Sequence, residues 1–389
     1  MKRGYPERRR TINNTICHRL KKNDFREIYS VLEENLAVFG IPARARNRKV
    51  IIKPNCCYPR SYTTGVTTDL RIIESLIRLL LDLPAEVMIC ESSGRGRSFS
   101  EISGKIGLHQ IAVKYGVKEV DLEATPYSIV RSGSDSVRIF NLIRDAEVLL
   151  NVPVMKTHKI EGVSLSIKNL MGCIPNKEKI LFHMKGIAKG LSVLSKVIKP
   201  DLNIIDGIYA MSSGGPIIGE VSRKGLLIFS DSMIAADCAG SAALGINPGD
   251  ISHIVQSASA NKFDMKDIKL PSELTMPGSV TSGFTGRVLD VIRWVNQFGF
   301  ALVSLVTGDK VQKKIESQFE RMLFPKTRPY IDSGKCSACG ECTLCCPYNA
   351  VTRDASGAYG ISEEKCLSCL ICYEFCPSNA ILSGEKKAD

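Results

Sequence analysis

The chain has 389 residues, of which 44% are hydrophobic and 24% charged, and a formal net charge of +12. This suits a soluble globular protein with two or three domains, each with its own core. Its 15 cysteines do not read as a disulfide framework. No apolar run follows the basic N-terminus, so no secretory signal is expected and the reading is cytoplasmic.

Charge is unevenly placed. Residues 1–49 hold 13 Lys/Arg against 5 Asp/Glu, whereas residues 331–389 hold 5 basic and 8 acidic residues. A basic body beside an acidic tail suits electrostatic docking or steering of an anionic partner, and ordinary solubilising charge is the plain alternative. Residues 1–23 read as a basic flexible arm. It lacks the interleaved aromatics and module of a nucleic-acid binder, so nucleic acid is not an expected partner.

From Asp24 onward, Phe25, Ile28, Leu32, Leu36 and Phe39 follow the helical period, and Gly40 and Pro42 stop it. Strands are expected at 50–52, 87–90, 148–154, 202–205 and 226–229, with Pro153 better placed at a strand end than in its middle. Helices are expected at 70–83, 102–115, 184–198 and 233–244. Short apolar strands alternating with amphipathic helices predict an α/β domain with a mainly parallel sheet flanked by helices, over residues 24–286. Residues 287–329 read as a helical connector and linker. Within it Val288–Val306 is apolar but broken by Asp290, Arg293, Asn296 and Gln297, so no membrane span is expected.

Residues 330–389 carry two runs with the spacing C-x-x-C-x-x-C-x-x-x-C-P: Cys336, Cys339, Cys342, Cys346, then Cys366, Cys369, Cys372, Cys376. Each cysteine lies thirty positions from its counterpart. This resembles the bacterial two-cluster ferredoxin module, a small α+β domain. In such modules three cysteines of one run wrap a cluster and the fourth reaches the other cluster. The resemblance implies two 4Fe–4S clusters. Cys336, Cys339, Cys342 and Cys376 would hold the first, and Cys366, Cys369, Cys372 and Cys346 the second. Zinc is the main competitor for paired C-x-x-C motifs, but it needs neither the third and fourth cysteines nor the repeated proline. Cys345 reads as a spare buried thiol, with competition for iron or oxidation sensing as the alternative. Cys173 is a weaker candidate for a reactive thiol.

In open parallel sheets the ligand crevice lies beyond the carboxyl ends of the strands. There this chain places Lys53-Pro54-Asn55, Lys156-Thr157-His158, Lys168-Asn169 with Gly172, Asp206-Gly207 and Gly214-Gly215-Pro216. Their order and spacing resemble domain-of-unknown-function family 362 over residues 48–260, a family often joined to a two-cluster ferredoxin tail. That resemblance implies an architecture and a site location, not a reaction.

Read as chemistry, Lys53, Lys156 and Lys168 would neutralise an anionic small molecule. His158 would act with Lys156 in catalysis as a proton shuttle, since imidazole titrates near neutral pH. Asn55 and Asn169 would orient the ligand, and Asp206, Gly214 and Gly215 would contact it. Strand ends, helix caps and plain turns are the structural alternatives for each. Asp206 and Asp237 could bind a metal or a hydroxyl, with helix capping as the default reading for Asp237. There is no phosphate loop, no dinucleotide fingerprint (Gly94-x-Gly96 lacks its third glycine), no radical three-cysteine run and no H-E-x-x-H site.

The expected function is an iron–sulfur oxidoreductase. Its clusters would relay electrons between the anion site and a low-potential redox protein or other donor or acceptor. The alternative is a non-catalytic electron carrier, or an assembly and docking scaffold.

Overall fold

The computed structural model describes residues 14–92, 98–158, 161–217, 219–268 and 274, and 329–383 except 341, 344–345, 347–348, 355, 367–371, 374–375, 377 and 379. The apolar run Val288–Val306, the Gly94–Gly96 segment, Cys345 and Cys369 fall outside these residues. The chain divides into two compact units, Met1–Ser279 and Val280–Asp389.

The first unit runs β1 (Thr15–Arg19), α1 (Phe25–Val38), α2 (Ile41–Ala45), β2 (Lys49–Pro54), α3 (Leu70–Leu81), β3 (Glu86–Glu91), α4 (Phe99–Ile106), α5 (Leu108–Tyr115) and β4 (Lys118–Asp121). It continues with β5 (Tyr127–Ser132), β6 (Asp135–Phe140), α6 (Asn141–Arg144), β7 (Val148–Val152), β8 (Val154–His158), β9 (Gly162–Ser164) and α7 (Ser166–Asn169). It closes with α8 (Asn176–Lys185), α9 (Ile187–Val197), β10 (Leu202–Ser213), β11 (Glu220–Ser230), α10 (Met233–Ala243) and α11 (Ser252–Ala260).

The sheet order is β1-β11-β10-β7-β2-β3-β4, with β8 and β9 attached beside β10. Strands β4, β3, β2, β7 and β10 are parallel, and β11 and β1 close the far edge antiparallel. The expected mainly parallel α/β sheet is therefore what the chain forms. From β2 the chain moves outward one way through β3 and β4. From β7 it moves the other way through β10. The order thus reverses between β2 and β7, the place where such sheets leave a crevice at their strand ends.

Both faces of the sheet are buried, which explains the unbroken apolar strands. Val50 and Ile52 face a core with Ile28, Leu32, Ile72 and Leu76, while Ile51 faces the opposite core with Leu170, Leu191 and Ile254. Strands buried on two sides read as continuous hydrophobic runs instead of alternating ones.

Several boundaries differ from the sequence reading. Thr15–Arg19, inside the expected flexible arm, is an edge strand paired with β11, because Ile16 and Leu20 carry apolar surface to the core. The helix expected over 102–115 breaks at Gly107, whose φ of +91° only glycine adopts readily. The expected strand 148–154 is two strands. Pro153 has no N–H to donate, yet its carbonyl accepts from Asp206 N–H at 2.8 Å. The 5–6 hairpin and α11 were not anticipated from the pattern. No helix among the described residues is long and apolar enough to cross a membrane.

The second unit contains two small antiparallel pairs, β12 (Pro329–Ile331) with β15 (Ile381–Ser383) and β13 (Val351–Arg353) with β14 (Tyr359–Ile361). The thirty-residue sequence repeat becomes a structural repeat. Asp332 N–H donates to the Ala380 carbonyl, and Ser362 N–H donates to the Ala350 carbonyl, both at 2.7 Å. The start of each cysteine run is thereby tied to the end of the other.

Candidate functional site

At the switch point the end of β2 delivers Lys53 into the interior, and the end of β3 delivers Glu91. Both side chains are fully buried. Lys53 Nζ donates to both Glu91 carboxylate oxygens at 2.9 Å and to the Pro54 carbonyl at 3.0 Å. Glu91 also accepts from the N–H groups of Ser92 at 2.9 Å and Cys56 at 3.3 Å. Burial alone would lower the proton affinity of Lys53, but Glu91 at this range holds its pKa well above the ordinary lysine value. Gly172 closes over the pair. A Cβ there would lie 2.1 Å from Glu91 Oε1 and 2.6 Å from Lys53 Nζ, so only glycine fits.

A line of buried amides crosses the sheet from this pair. Lys156 Nζ donates to Asn55 Oδ1 at 3.0 Å and to the Val66 carbonyl at 2.9 Å. Asn55 Nδ2 donates to Asn169 Oδ1 at 3.0 Å, and Asn169 Nδ2 to Asn151 Oδ1 at 2.8 Å. Asn151 Nδ2 then donates to Asn203 Oδ1 at 2.9 Å, and Asn203 Nδ2 to the Ser230 carbonyl at 3.2 Å. Each amide is fixed by donating on one side and accepting on the other. Such satisfied networks rigidify the groups they hold. The sequence reading found Asn55 and Asn169 but missed Asn151 and Asn203. Their signal was a polar residue inside an otherwise apolar buried strand.

Among the described residues, Lys53, Lys156, Lys168 and Lys179 lie at this end of the sheet. The half-buried thiol of Cys57 interacts electrostatically with all four. Lys179, on α8, was missed, since no motif marks it. Its Nζ donates to Ser92 Oγ at 2.6 Å and lies 3.7 Å from Glu123. Burial pushes the pKa values of Lys168 and Lys179 below the ordinary lysine value, and each charge disfavours that of a neighbouring lysine.

His158 ends β8 at the rim, half-buried, with Nδ1 accepting from Glu161 N–H at 3.1 Å. Lys156, Asn55 and Asn169 are thus joined by hydrogen bonds, while His158 and Lys168 both neighbour Glu161. Lys53 is present too, but its ammonium is committed to Glu91 instead of to a ligand.

Three expected ligand contacts have internal partners. Asp206 accepts from Asp69 N–H at 2.7 Å and Ile208 N–H at 3.0 Å, fixing the start of α3. Gly214 turns with φ +69°, and Gly215 N–H donates to Thr157 Oγ1 at 3.1 Å, packing this loop on β8. A Cβ on Gly215 would meet the Thr157 carbonyl at 2.1 Å, so close backbone approach, not ligand contact, explains that glycine. Cys173 is fully buried and its thiol is pushed up to about 12 by burial, which makes it inert.

Asp237 is a cap, as expected, but of α7 and not of its own helix. It accepts from Ser166 N–H at 2.6 Å and Ile167 N–H at 3.1 Å, while Ser232 caps α10. Thus Asp237 holds the short helix that presents Lys168 and Asn169. Burial pushes its pKa up to about 7 from 3.8. A raised folded-state value means that the native state retains the proton longer. This contribution to stability is present below about pH 4 and is lost as pH rises toward 7. The urea midpoint of wild type relative to Asp237→Asn should therefore fall between pH 4 and pH 7. A rise from 3.8 to about 7 corresponds to about 4 kcal/mol, and parallel curves for the two proteins would sink this reading.

In the second unit Cys336, Cys339, Cys342 and Cys376 line one cavity, with Ile331, Tyr359 and Ile381 as its apolar wall. Ala350 N–H donates to Cys346 Sγ at 3.3 Å and Ala380 N–H to Cys376 Sγ at 3.2 Å. Burial alone would raise the pKa of Cys376, but hydrogen bonds from Ser378 and Ala380 hold it below the ordinary thiol value. Among the described residues no three His, Cys, Asp or Glu converge on a single ion. A cavity lined by four sulfurs and receiving N–H···S bonds suits the corners of an iron–sulfur cube.

Residues 50–242 match the family model described as a domain of unknown function, DUF362, and residues 306–381 match that of the 4Fe-4S dicluster domain. A thylakoid-associated protein of Synechocystis sp. is 26% identical over 211 residues, which cover 52% of this chain and 65% of that relative. The chain thus spans less than two thirds of that relative's length. With the fold and the sulfur-lined cavity, these matches show a chain in which a region similar to DUF362 precedes a region similar to the 4Fe-4S dicluster domain.

Proposed function

We propose that the protein is an oxidoreductase that exchanges electrons with an anionic small molecule held at the switch-point crevice of the α/β unit. The observation that carries this reading is the gathering of Lys156, Lys168 and Lys179 around Cys57, beside a lysine already neutralised by Glu91. Burial and neighbouring lysines disfavour the charges on Lys168 and Lys179, and a bound anion would favour them.

Lys168 and Lys179 hold the anion, with Lys156 fixed behind them by Asn55. Asn169 keeps Asn55 in place, and His158 moves a proton at the rim through Nε2, because Nδ1 accepts from Glu161. Two 4Fe–4S clusters, held by Cys336, Cys339, Cys342 and Cys376 and by Cys366, Cys369, Cys372 and Cys346, supply one-electron transfer when bound. A low-potential redox protein is the external partner. No disulfide joins the described cysteines, which suits a reducing cytoplasm.

The test is the oxidation rate of the reduced holoprotein under anaerobic conditions, followed by cluster absorbance across a panel of oxidising anions. At least one anion should accelerate oxidation. His158→Gln should slow that reaction by about 100-fold, and Lys168→Met should raise the anion concentration needed. A panel without effect, or variants that oxidise as wild type does, would favour a non-catalytic carrier and overturn this reading.

A further inference from the structure

Behind the lysine site lies a histidine with no hydrogen bond among the described residues. His253, on α11, is 0% exposed, and neither ring nitrogen has a hydrogen-bond partner. Its Nδ1 stands 3.5 Å from Oε2 of Glu161. One turn along α11, Ser257 Oγ is also buried without a partner. Buried polar atoms are nearly always satisfied, and the polar group that stands before His253 is the Glu161 carboxylate.

Glu161 is connected in three directions. Its backbone N–H fixes His158, its carboxylate stands before His253, and the same carboxylate supports the charge on Lys168. Without an added anion, the Glu161 carboxylate favours the charge on Lys168. Burial, together with the charge on Lys168, disfavours a charged His253. An anion placed on Lys168 leaves one negative charge in excess next to Glu161. In a low-dielectric interior a proton on His253, 3.5 Å from that carboxylate, restores neutrality.

We propose that His253 and Glu161 form a proton-uptake pair that takes one proton from water when an anion occupies Lys168, and so makes anion binding at this site pH-dependent. The proton goes onto the imidazole, giving an imidazolium–carboxylate pair, and nothing is oxidised or reduced. The titratable groups acting on His253 are Glu161, ahead of β9, and Lys168 on α7. The helices α9 and α10 and the turn Pro248–Asp250, which also pack on α11, carry Lys189, Lys196, Asp237, Cys238 and Asp250. The proposal rests on the anionic-ligand reading, while the coupling among His253, Glu161 and Lys168 exists without any ligand.

The full-length protein with its clusters serves for both measurements, with inorganic phosphate as the probe. Histidine-ring NMR without phosphate should show His253 titrating below the ordinary histidine range. Lys168→Met should raise its midpoint and Glu161→Gln should lower it, each by about one pH unit. Calorimetry of phosphate binding at pH 7, in two buffers of different ionisation enthalpy, should show wild type taking up about one proton more per phosphate than His253→Gln, a difference that removes phosphate's own ionisation. Glu161→Gln should lack the same excess. Unmoved His253 midpoints, or equal proton uptake in wild type and both variants, would overturn the proposal. Absence of any phosphate binding by wild type would overturn the anionic-ligand reading and the proton linkage with it, and the NMR midpoints then show whether the three-residue coupling stands alone.

Discussion

Glu91→Ala is expected to destabilise the α/β unit by about 3–5 kcal/mol, the usual cost of leaving a buried charge without its partner. The reason is geometric. Lys53 and Glu91 are both fully buried, and Glu91 alone receives two bonds from Lys53 and two from backbone N–H groups. Removing the carboxylate strands an ammonium that cannot reach water. Urea unfolding followed by circular dichroism measures the loss, with Glu86→Ala as a control because that side chain is 60% exposed. Replacing both partners, as Lys53→Met with Glu91→Leu, should restore much of the stability, since two apolar groups leave no unpaired charge. If Glu91→Ala cost no more than Glu86→Ala, the pair would not be the structural centre of the crevice.

Cys376→Ala is expected to remove the cluster held by the other run, and to leave its own run's cluster in place. Cys376 lines the same cavity as Cys336, Cys339 and Cys342, brought there by the Asp332–Ala380 hydrogen bond. Anaerobically purified protein should lose about half its iron, as one of two clusters. Cys342→Ala should give the same residual spectrum as Cys376→Ala, while Cys372→Ala should give the complementary one. If Cys376→Ala matched Cys372→Ala instead, the crossed ligand assignment would be wrong.

Much of the fold was legible because its signals are local. The apolar runs at Val50–Ile52 and Leu202–Ile205 report burial on both sheet faces, and Asp24 and Asp69 start α1 and α3 as helix caps. Signals that depend on long-range pairing were not legible. Thr15–Arg19 looks like part of a basic tail until β11 is there to receive it. Lys179 carries no motif, and only the packing of α8 brings it to Ser92.

Residue type also misled where one chemistry has two uses. Asp206 and Gly215 are common ligand contacts, yet here one fixes α3 and the other lets two backbones touch. Lys53 was read as a cation for a ligand, but a glutamate 38 positions later occupies it. His253 drew no notice at all, because the glutamate that faces it lies far away in sequence.

What the sequence by itself determined is the metal chemistry and the class of fold. Thiolate spacing and strand–helix alternation are properties of neighbouring residues, and both are written along the chain. Only the tertiary structure decided which cations face the crevice and which are already neutralised. Charge balance in a buried site depends on groups that meet across the sheet, such as Lys53 with Glu91 and Glu161 with His253, and their separation in sequence carries no trace of that meeting.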